Sequence, residues 1–393
     1  MSDTFCSRSW NSYLVDLEFL KYRMCCKTRW SPIKVGEDMF NSSQLQERRE
    51  AHLTGKRHDS CKYCWDMEDQ NVMSFRADDL KVRPYTTTTS KEYGKSIIEI
   101  KVSNICNMAC RYCGPKNSTI WAERMHDEHF SKVGINHFKR NEDREELLAQ
   151  LYKWLDSELD NATSVIITGG EPSISPQFYD LVEKLDFKNS KIIINSSLNI
   201  PEAYINKFEA ALIKLAVKNT VMIRVSLDGV GDQNDWQRQG ADWDLIRKNY
   251  IRLGKTPIFY KIGQTFTPLT MEGLIPLAKF IAETKDECTN QPMFGSIAHI
   301  VSSPSPLNPL EWVSSFRHEL SEFVSIVIDN KIAPRELILQ LHKWLEAPDT
   351  MPTQATAQAL YDWATDHQIA WGGGDWRTVY PKTAGIVVKV LTS

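Results

Sequence analysis

The sequence predicts an α/β protein: a partial, open barrel of six βα units, with a small cysteine-rich N-terminal domain and a helical C-terminal region. Two observations lead to this prediction. Short β-rich runs alternate with helix-like segments from about residue 95, and most of the nine cysteines fall in groups. The chain has 393 residues, 42% of them hydrophobic and 25% charged, which suits one large catalytic domain and a smaller one.

Six β-rich runs define the barrel. They are SIIEIKVS (96–103), SVIITGG (164–170), KIIINSS (191–197), VMIRVSLDG (221–229), IFYKIGQTF (258–266) and GSIAHIVSS (295–303). Strands that alternate with helices are typical of parallel βα units. Six units are too few for a closed eight-stranded barrel, so we expect a partial TIM-like barrel with its functional residues at the C-terminal strand ends.

Three regions follow from this pattern. Residues 1–92 contain five cysteines and few long apolar runs, as expected of a small domain that depends on a metal. Residues 93–305 form the predicted barrel. Residues 306–393 are mostly helical and are predicted to close the barrel.

Composition limits the partners and the compartment. The net charge of −3 gives no reason to expect general nucleic-acid binding. No apolar run is long enough to span a bilayer, and the N-terminus does not resemble a secretory signal. We therefore expect a cytoplasmic protein without a membrane partner, in which clustered cysteines are metal ligands and not disulfides.

The motif that indicates the chemistry follows the first strand. Cys106, Cys110 and Cys113 lie in NICNMACRYCGP, at spacings that let one loop supply three thiolates. A [4Fe–4S] cluster has four irons, so three thiolates leave one iron open, as in a catalytic site. The spacing alone also allows a zinc knuckle, or a cluster whose fourth ligand lies elsewhere.

The arrangement Cys-x3-Cys-x-aromatic-Cys, with Tyr112 before the third cysteine, resembles the signature of the radical S-adenosylmethionine (SAM) superfamily. The resemblance implies an enzyme that binds a [4Fe–4S] cluster and SAM. It implies that the reduced cluster cleaves SAM to methionine and a 5′-deoxyadenosyl radical, which removes a hydrogen atom from a substrate. Tyr112 is predicted to lie among the cofactor-binding residues.

Further residues are assigned to the SAM site by the same resemblance. Gly169, Gly170 and Glu171 end the second strand in ITGGEP, a segment that binds the amino group of SAM in the family; alone, it could be a plain turn. Ser226, in VSLDG, is expected to contact the ribose. Arg238 is expected to hold the carboxylate, although a surface salt bridge is an alternative. Asn195, at the end of the third strand, is a further candidate contact.

A second group of cysteines precedes the barrel. Its pattern resembles the SPASM/twitch auxiliary-cluster domains of some radical SAM proteins, although those domains usually follow the barrel. The resemblance implies a second iron–sulfur cluster, and a zinc site remains an alternative. The candidate ligands are Cys6, Cys25, Cys26, Cys61 and Cys64, of which only one of the adjacent pair Cys25 and Cys26 is expected to bind.

The substrate is open at this point. The VSLDG segment resembles peptide-modifying members of the family, so we expect a peptide or a natural-product intermediate as substrate, and a reductant such as flavodoxin or ferredoxin as partner. One alternative is modification of a nucleotide or sugar-derived small molecule. An alternative of another class is a non-catalytic zinc or iron–sulfur protein.

Overall fold

The computed structural model describes residues 3–69, 74–82, 96–124, 143–187, 190–295 and 307–393. The chain divides into two compact units. The first comprises Met1–Ser103, Phe130–Ile194 and Val217–Thr220; the second comprises Asn104–His129, Asn195–Ala216 and Val221–Ser393. The predicted boundaries at 92/93 and 305/306 fall outside the described residues, so the three-region division stays a prediction.

The first unit contains a sheet with the strand order β3-β2-β1-β4-β5-β6. Strands β1, β4, β5 and β6 are parallel, and β2 and β3 extend the edge in antiparallel register. The pairing of β1 beside β4 was not predicted. The bounds are β1 Ser12–Asp16, β2 Lys21–Arg23, β3 Ser31–Pro32, β4 Ser96–Lys101, β5 Ala162–Thr168 and β6 Lys191–Ser196, the last two residues of which are assigned to the second unit.

Six helices of the first unit lie among the described residues. Numbered along the chain, they are α1 Arg8–Asn11, α2 Ser43–Leu53, α3 Lys62–Asp69, α4 Phe75–Val82, α6 Arg144–Leu159 and α7 Pro176–Lys184. Helix α6 buries a leucine every four residues, which places them on one face. Trp154 of α6 stacks on Phe40, with ring centroids 3.9 Å apart. N-terminal residues therefore share the core of this unit.

The second unit contains the strands β7 Thr220–Ser226, whose first residue is assigned to the first unit, β8 Phe259–Gly263 and β9 Met293–Phe294. All three are parallel, in the order β7-β8-β9. The predicted α/β class is confirmed, and the first five predicted runs form the parallel strands β4 to β6 of the first unit and β7 and β8 of the second. Strand β9 precedes the sixth predicted run. Residues 296–303 of the sixth predicted run lie outside the described residues.

The helices of the second unit include a long C-terminal series, as predicted. They are α5 Thr119–Arg124, α8 Glu202–Ala216, α9 Asp232–Gln237, α10 Trp243–Gly254, α11 Pro268–Glu272, α12 Leu274–Thr284, α13 Arg317–Asp329, α14 Arg335–Leu345, α15 Gln354–Trp371, α16 Trp376–Val379 and α17 Pro381–Thr392. Helices α11 and α12 are separated at Gly273, because Pro276 cannot donate an amide and fits only a first helical turn.

None of the helices in the described part of the chain combines the length and the apolar character that crossing a membrane requires.

Candidate functional site

The three predicted cluster ligands pack together in the second unit. Cys106 and Cys110 are each 9% exposed and form a buried cluster with Met108, against which Cys113 and Tyr112 pack. The amide of Cys113 donates to the carbonyl of Cys110 (2.8 Å), which tightens the loop into a turn. Three thiols on one short loop are a suitable donor set for an iron–sulfur cluster with one open iron.

The backbone of this loop pairs with the segment that follows α9. Ala109 donates its amide to the carbonyl of Gln239 (2.7 Å), and Arg111 donates its amide to the carbonyl of Gln237 (2.9 Å). On the other side of the loop, the indole of Trp121 donates to the carbonyl of Cys110 (2.9 Å). The cysteines therefore lie on a loop with little freedom of its own.

The side chain of Arg111 fastens the loop to α9 and to the end of α15. Its guanidinium donates to the carbonyls of Trp236, His367 and Gly372, each at 2.6 Å. It also lies 3.8 Å from the ring centroid of Trp236. The backbone at Gly373 has φ +94°, and a Cβ there would lie 2.9 Å from Arg111 Nη2, so the turn requires glycine.

A buried ion pair lies beside the cysteines. Arg238 Nε is 2.9 Å from Asp228 Oδ2, and Arg238 Nη1 is 4.0 Å from Cys110 Sγ. The hydroxyl of Tyr112 donates to Asp228, and the amide of Thr265 donates to the same carboxylate at 2.9 Å. Three separate segments of the chain therefore contact the carboxylate of Asp228. The alternative given for Arg238 in the sequence analysis was a surface salt bridge. Arg238 does form a salt bridge, but this salt bridge is buried.

Burial dominates the electrostatics of this site. It raises the pKa of the Cys110 thiol to about 12, although the Arg238 guanidinium acts in the opposite direction. Burial also raises the pKa of Tyr112, which stays a neutral hydrogen-bond donor. Burial disfavours the charge of Arg238, but Asp228 together with Tyr112 and Cys110 keeps the pKa of the guanidinium above its ordinary value. A fixed cation next to Cys110 favours its thiolate, the form that binds metal.

Two other predicted contacts lie at strand ends of the second unit. Ser226 ends β7 and is half-buried, in register with Gly263 of β8. Asn195 Oδ1 accepts a hydrogen bond from Arg224 Nη1 at 3.4 Å. Their assignment to the SAM site stays a prediction.

The Gly-Gly-Glu segment lies in the first unit, directly after β5. Gly169 has φ +147°, and a Cβ there would approach the carbonyl oxygen of Ser103 to 2.6 Å, so only glycine fits. The amide of Gly170 donates to the same carbonyl (2.8 Å). Glu171 is 2% exposed, and its carboxylate accepts hydrogen bonds from the amide and hydroxyl of Ser173. Here Glu171 caps the short 3-10 helix Pro172–Ile174; its role toward SAM stays a prediction.

Four N-terminal cysteines line one small cavity of the first unit. The cavity has a volume of about 20 Å³, and its sulfur-bearing residues are Cys6, Cys25, Cys61 and Cys64. Cys26 does not line it. Instead, Cys26 forms a hydrogen bond with Cys25 that lowers the pKa of Cys25. Four thiols are the complete set for a tetrahedral metal or a fully ligated cluster.

Basic side chains and a histidine surround these thiols. Arg8, Lys27, Arg48 and Arg76 also line the cavity. The thiol of Cys61 lies 3.5 Å from His52 Nε2. Burial lowers the pKa of His52 to about 3, so that this imidazole is neutral. Within the described ranges, no three histidine, cysteine or acidic side chains form a ready-made metal site.

Sequence reasoning missed Arg48 and Arg111. Arg48 lies in α2, and Arg111 lies between the candidate ligands Cys110 and Cys113. An arginine inside a cysteine motif was a signal of a fixed loop. The partners of that arginine, more than 100 residues away, were not readable from the sequence.

A family profile matches the part of the chain that contains the three-cysteine loop. Residues 100–280, slightly under half of the chain, match the profile of the radical SAM superfamily. No protein of curated function matches the sequence.

The solved structures that resemble the chain include two of SuiB from Streptococcus suis. SuiB bound to S-adenosylmethionine is 14% identical, with a TM-score of 0.36, and the match covers 75% of this chain and 53% of SuiB. SuiB bound to the precursor peptide SuiA is 13% identical, with a TM-score of 0.39 and coverage of 91% and 78%. The chain thus spans about half of SuiB in the first match. Because both TM-scores are below 0.5, the likeness does not bear on what this chain binds.

Proposed function

We propose that this protein is a radical SAM enzyme that removes a hydrogen atom from its substrate, with Cys106, Cys110 and Cys113 as the ligands of the SAM-cleaving cluster. The proposal depends above all on these three thiols, which pack in one buried cluster inside the matched domain. When bound and reduced, such a cluster supplies the electron that splits SAM into methionine and a 5′-deoxyadenosyl radical.

The protein contributes position and charge. Arg238 places a buried cation next to Cys110, which favours the thiolate of that residue. Asp228 holds that arginine in place. Arg111 ties the loop to the end of α15, so that the thiols keep their positions when the metal binds. Glu171, Ser226 and Asn195 are the proposed contacts of SAM.

We also propose a second metal centre on Cys6, Cys25, Cys61 and Cys64. The four sulfurs that line one cavity support this proposal, and Cys26 is the neighbour that stays outside the ligand set. Four thiolates complete the coordination, which suits electron transfer or a structural role better than direct substrate binding. An iron–sulfur cluster is proposed over zinc.

For the substrate, we propose a peptide or a natural-product intermediate, and for the reductant a flavodoxin or ferredoxin. The peptide class is supported by the VSLDG segment at the end of β7, which resembles peptide-modifying members of the superfamily.

The test is reductive cleavage of SAM. The protein is purified without oxygen, reconstituted with iron and sulfide, reduced with dithionite and incubated with SAM. We expect 5′-deoxyadenosine and methionine to form in equal amounts, slowly, even without substrate. If the fully reconstituted protein forms no 5′-deoxyadenosine, the proposal is wrong, and a non-catalytic metalloprotein becomes the better account.

A further inference from the structure

A wide cleft lies beside the four-cysteine cavity in the first unit. Its volume is about 560 Å³, large enough for a ligand of several residues and far larger than a single inorganic ion needs. The cleft and the cavity share the lining residues Lys27, Thr28, Arg48 and Ser60. A ligand in the cleft would therefore lie next to the proposed second metal centre.

The lining of this cleft is strongly basic. Arg23, Lys27, Arg29, Arg48 and Lys62 contribute positive charge, whereas Asp59 is the one carboxylate among the lining residues that the structure describes. Only Lys62 of these five is in a salt bridge within the described residues, at 2.6 Å from Asp66. The cleft thus has an excess of cations that the surrounding protein does not balance.

Arg48 is the most informative of these cations. Its side chain belongs to a residue that is only 5% exposed, and no carboxylate in the described part of the chain pairs with it. A buried guanidinium without a counter-charge is costly unless an anion or a hydrogen-bonding partner compensates it. Arg48 borders both the thiols and the cleft, so anions on either side stabilise it.

The aromatic rings at the cleft disfavour a nucleic acid. Base stacking on exposed aromatic faces is the usual basis of single-strand binding. Here the ammonium of Lys27 lies 4.3 Å from the ring centroid of Tyr63, an aromatic residue that lines the cleft. Because the protein's own cation lies over one face of this ring, that face is not open to a base.

The remaining lining groups suit a peptide. Thr28, Ser31, Gln44 and Ser60 place hydroxyl and amide groups along the cleft, which can pair with peptide N–H and C=O groups. Arginine side chains recognise carboxylates through paired N–H donors. We propose that this cleft binds an acidic peptide segment through Arg29 and Arg48. This inference does not depend on the reaction proposed above.

The test is binding of a fluorescein-labelled octaglutamate peptide to the full-length, anaerobically reconstituted protein, followed by fluorescence anisotropy. We expect saturable binding that weakens as salt is raised, because screening reduces charge attraction. The variants Arg29→Gln and Arg48→Gln should each weaken binding by about 10-fold. Lys153→Gln, which removes one positive charge from the exposed face of α6, should leave binding unchanged.

Arg29 is exposed, so its variant should fold and keep its iron even if Arg48→Gln disturbs the cysteine cavity. The proposal is overturned if octaglutamate does not bind, if octaglutamine binds equally well, or if Arg29→Gln binds as the parent does. Tighter binding of a single-stranded oligonucleotide, or displacement of the peptide by equimolar inorganic phosphate, would also overturn it. None of these binding measurements requires SAM cleavage. The peptide-binding proposal and the proposed reaction can therefore be disproved independently of each other.

Discussion

The three-cysteine loop of the second unit and the four-cysteine cavity of the first unit both gather thiols among arginines, yet they differ in two respects. The loop offers three sulfurs, and its buried cation, Arg238, already has a carboxylate partner in Asp228. The cavity offers four sulfurs, and its buried cation, Arg48, has no carboxylate partner among the described residues.

This difference separates the two proposed metal centres. Three thiolates leave a position open for SAM, whereas four complete the coordination. In the loop the charge of Arg238 is balanced by the protein before any metal binds. In the cavity Arg48 gains a counter-charge when a metal–thiolate centre, which carries net negative charge, forms next to it. This contrast supports the proposal that the loop is a reactive site and the cavity a closed one.

The largest expected effect comes from the loop. The Cys110→Ala variant should form no detectable 5′-deoxyadenosine, because two thiolates do not hold the cluster with one defined open iron. Cys288→Ala is the matched control, since Cys288 lies outside both groups and its thiol lies near the carbonyl of Thr284. The product is measured by chromatography and mass spectrometry. If Cys110→Ala forms 5′-deoxyadenosine at the rate of the parent, the loop does not take part in the reaction.

The next effect distinguishes two adjacent cysteines. Cys25→Ala should lower the iron content of the reconstituted protein by about half, because one of two clusters is lost. Cys26→Ala should keep the iron, because Cys26 does not line the cavity. Iron and zinc are counted together by inductively coupled plasma spectrometry. An equal loss of iron in Cys25→Ala and Cys26→Ala would contradict the assignment of Cys25 as the ligand. Zinc in the parent protein would show that the second site binds zinc and not an iron–sulfur cluster.

A smaller effect is expected when the loop is loosened. Arg111→Lys keeps the charge but cannot reach the carbonyls of Trp236, His367 and Gly372 together. We expect about 10-fold less 5′-deoxyadenosine, equivalent to about 1.4 kcal/mol of lost positioning. Arg124→Lys is the control, because Arg124 is exposed and lies 5.0 Å from the ring centroid of Trp371. If Arg111→Lys and the parent form 5′-deoxyadenosine at equal rates, the hydrogen bonds of Arg111 do not position the loop.

The smallest effect concerns pH. Burial, and then the nearby charge of Arg111, lower the pKa of His367 to about 4. An unfolded chain takes up this proton near pH 6.5, whereas the folded chain does not until about pH 4, so stability falls as the pH decreases through that window. Between pH 7 and pH 5.5 the loss is about 1 kcal/mol.

Thermal unfolding under argon at the two pH values measures this loss. Between pH 7 and pH 5.5, the midpoint temperature of unfolding should fall less in His367→Gln than in the parent. In His318→Gln, which changes an exposed histidine, the midpoint should fall as much as in the parent. An identical fall in His367→Gln and the parent would show that His367 does not contribute to the pH dependence.

The parallel strands and the three-cysteine motif were predictable because they depend on local patterns. β-Branched runs specify strands β4 to β8, and the spacing of Cys106, Cys110 and Cys113 specifies one shared loop. The grouping of Cys6, Cys25, Cys61 and Cys64 depends on tertiary packing, so the sequence left Cys25 and Cys26 equivalent. The pairing of β1 with β4 and the contacts of Arg111 join distant segments, for which a single sequence holds no periodic signal.

The central claim is that the loop has an open metal position and that the cavity does not. Electron paramagnetic resonance of two reduced variants tests it. One variant keeps only the loop centre (Cys6, Cys25, Cys61 and Cys64 changed to alanine), and the other keeps only the cavity centre (Cys106, Cys110 and Cys113 changed to alanine). We predict that SAM shifts the spectrum of the first variant and leaves that of the second unchanged. A SAM-dependent shift in the second variant, or none in the first, would contradict the account.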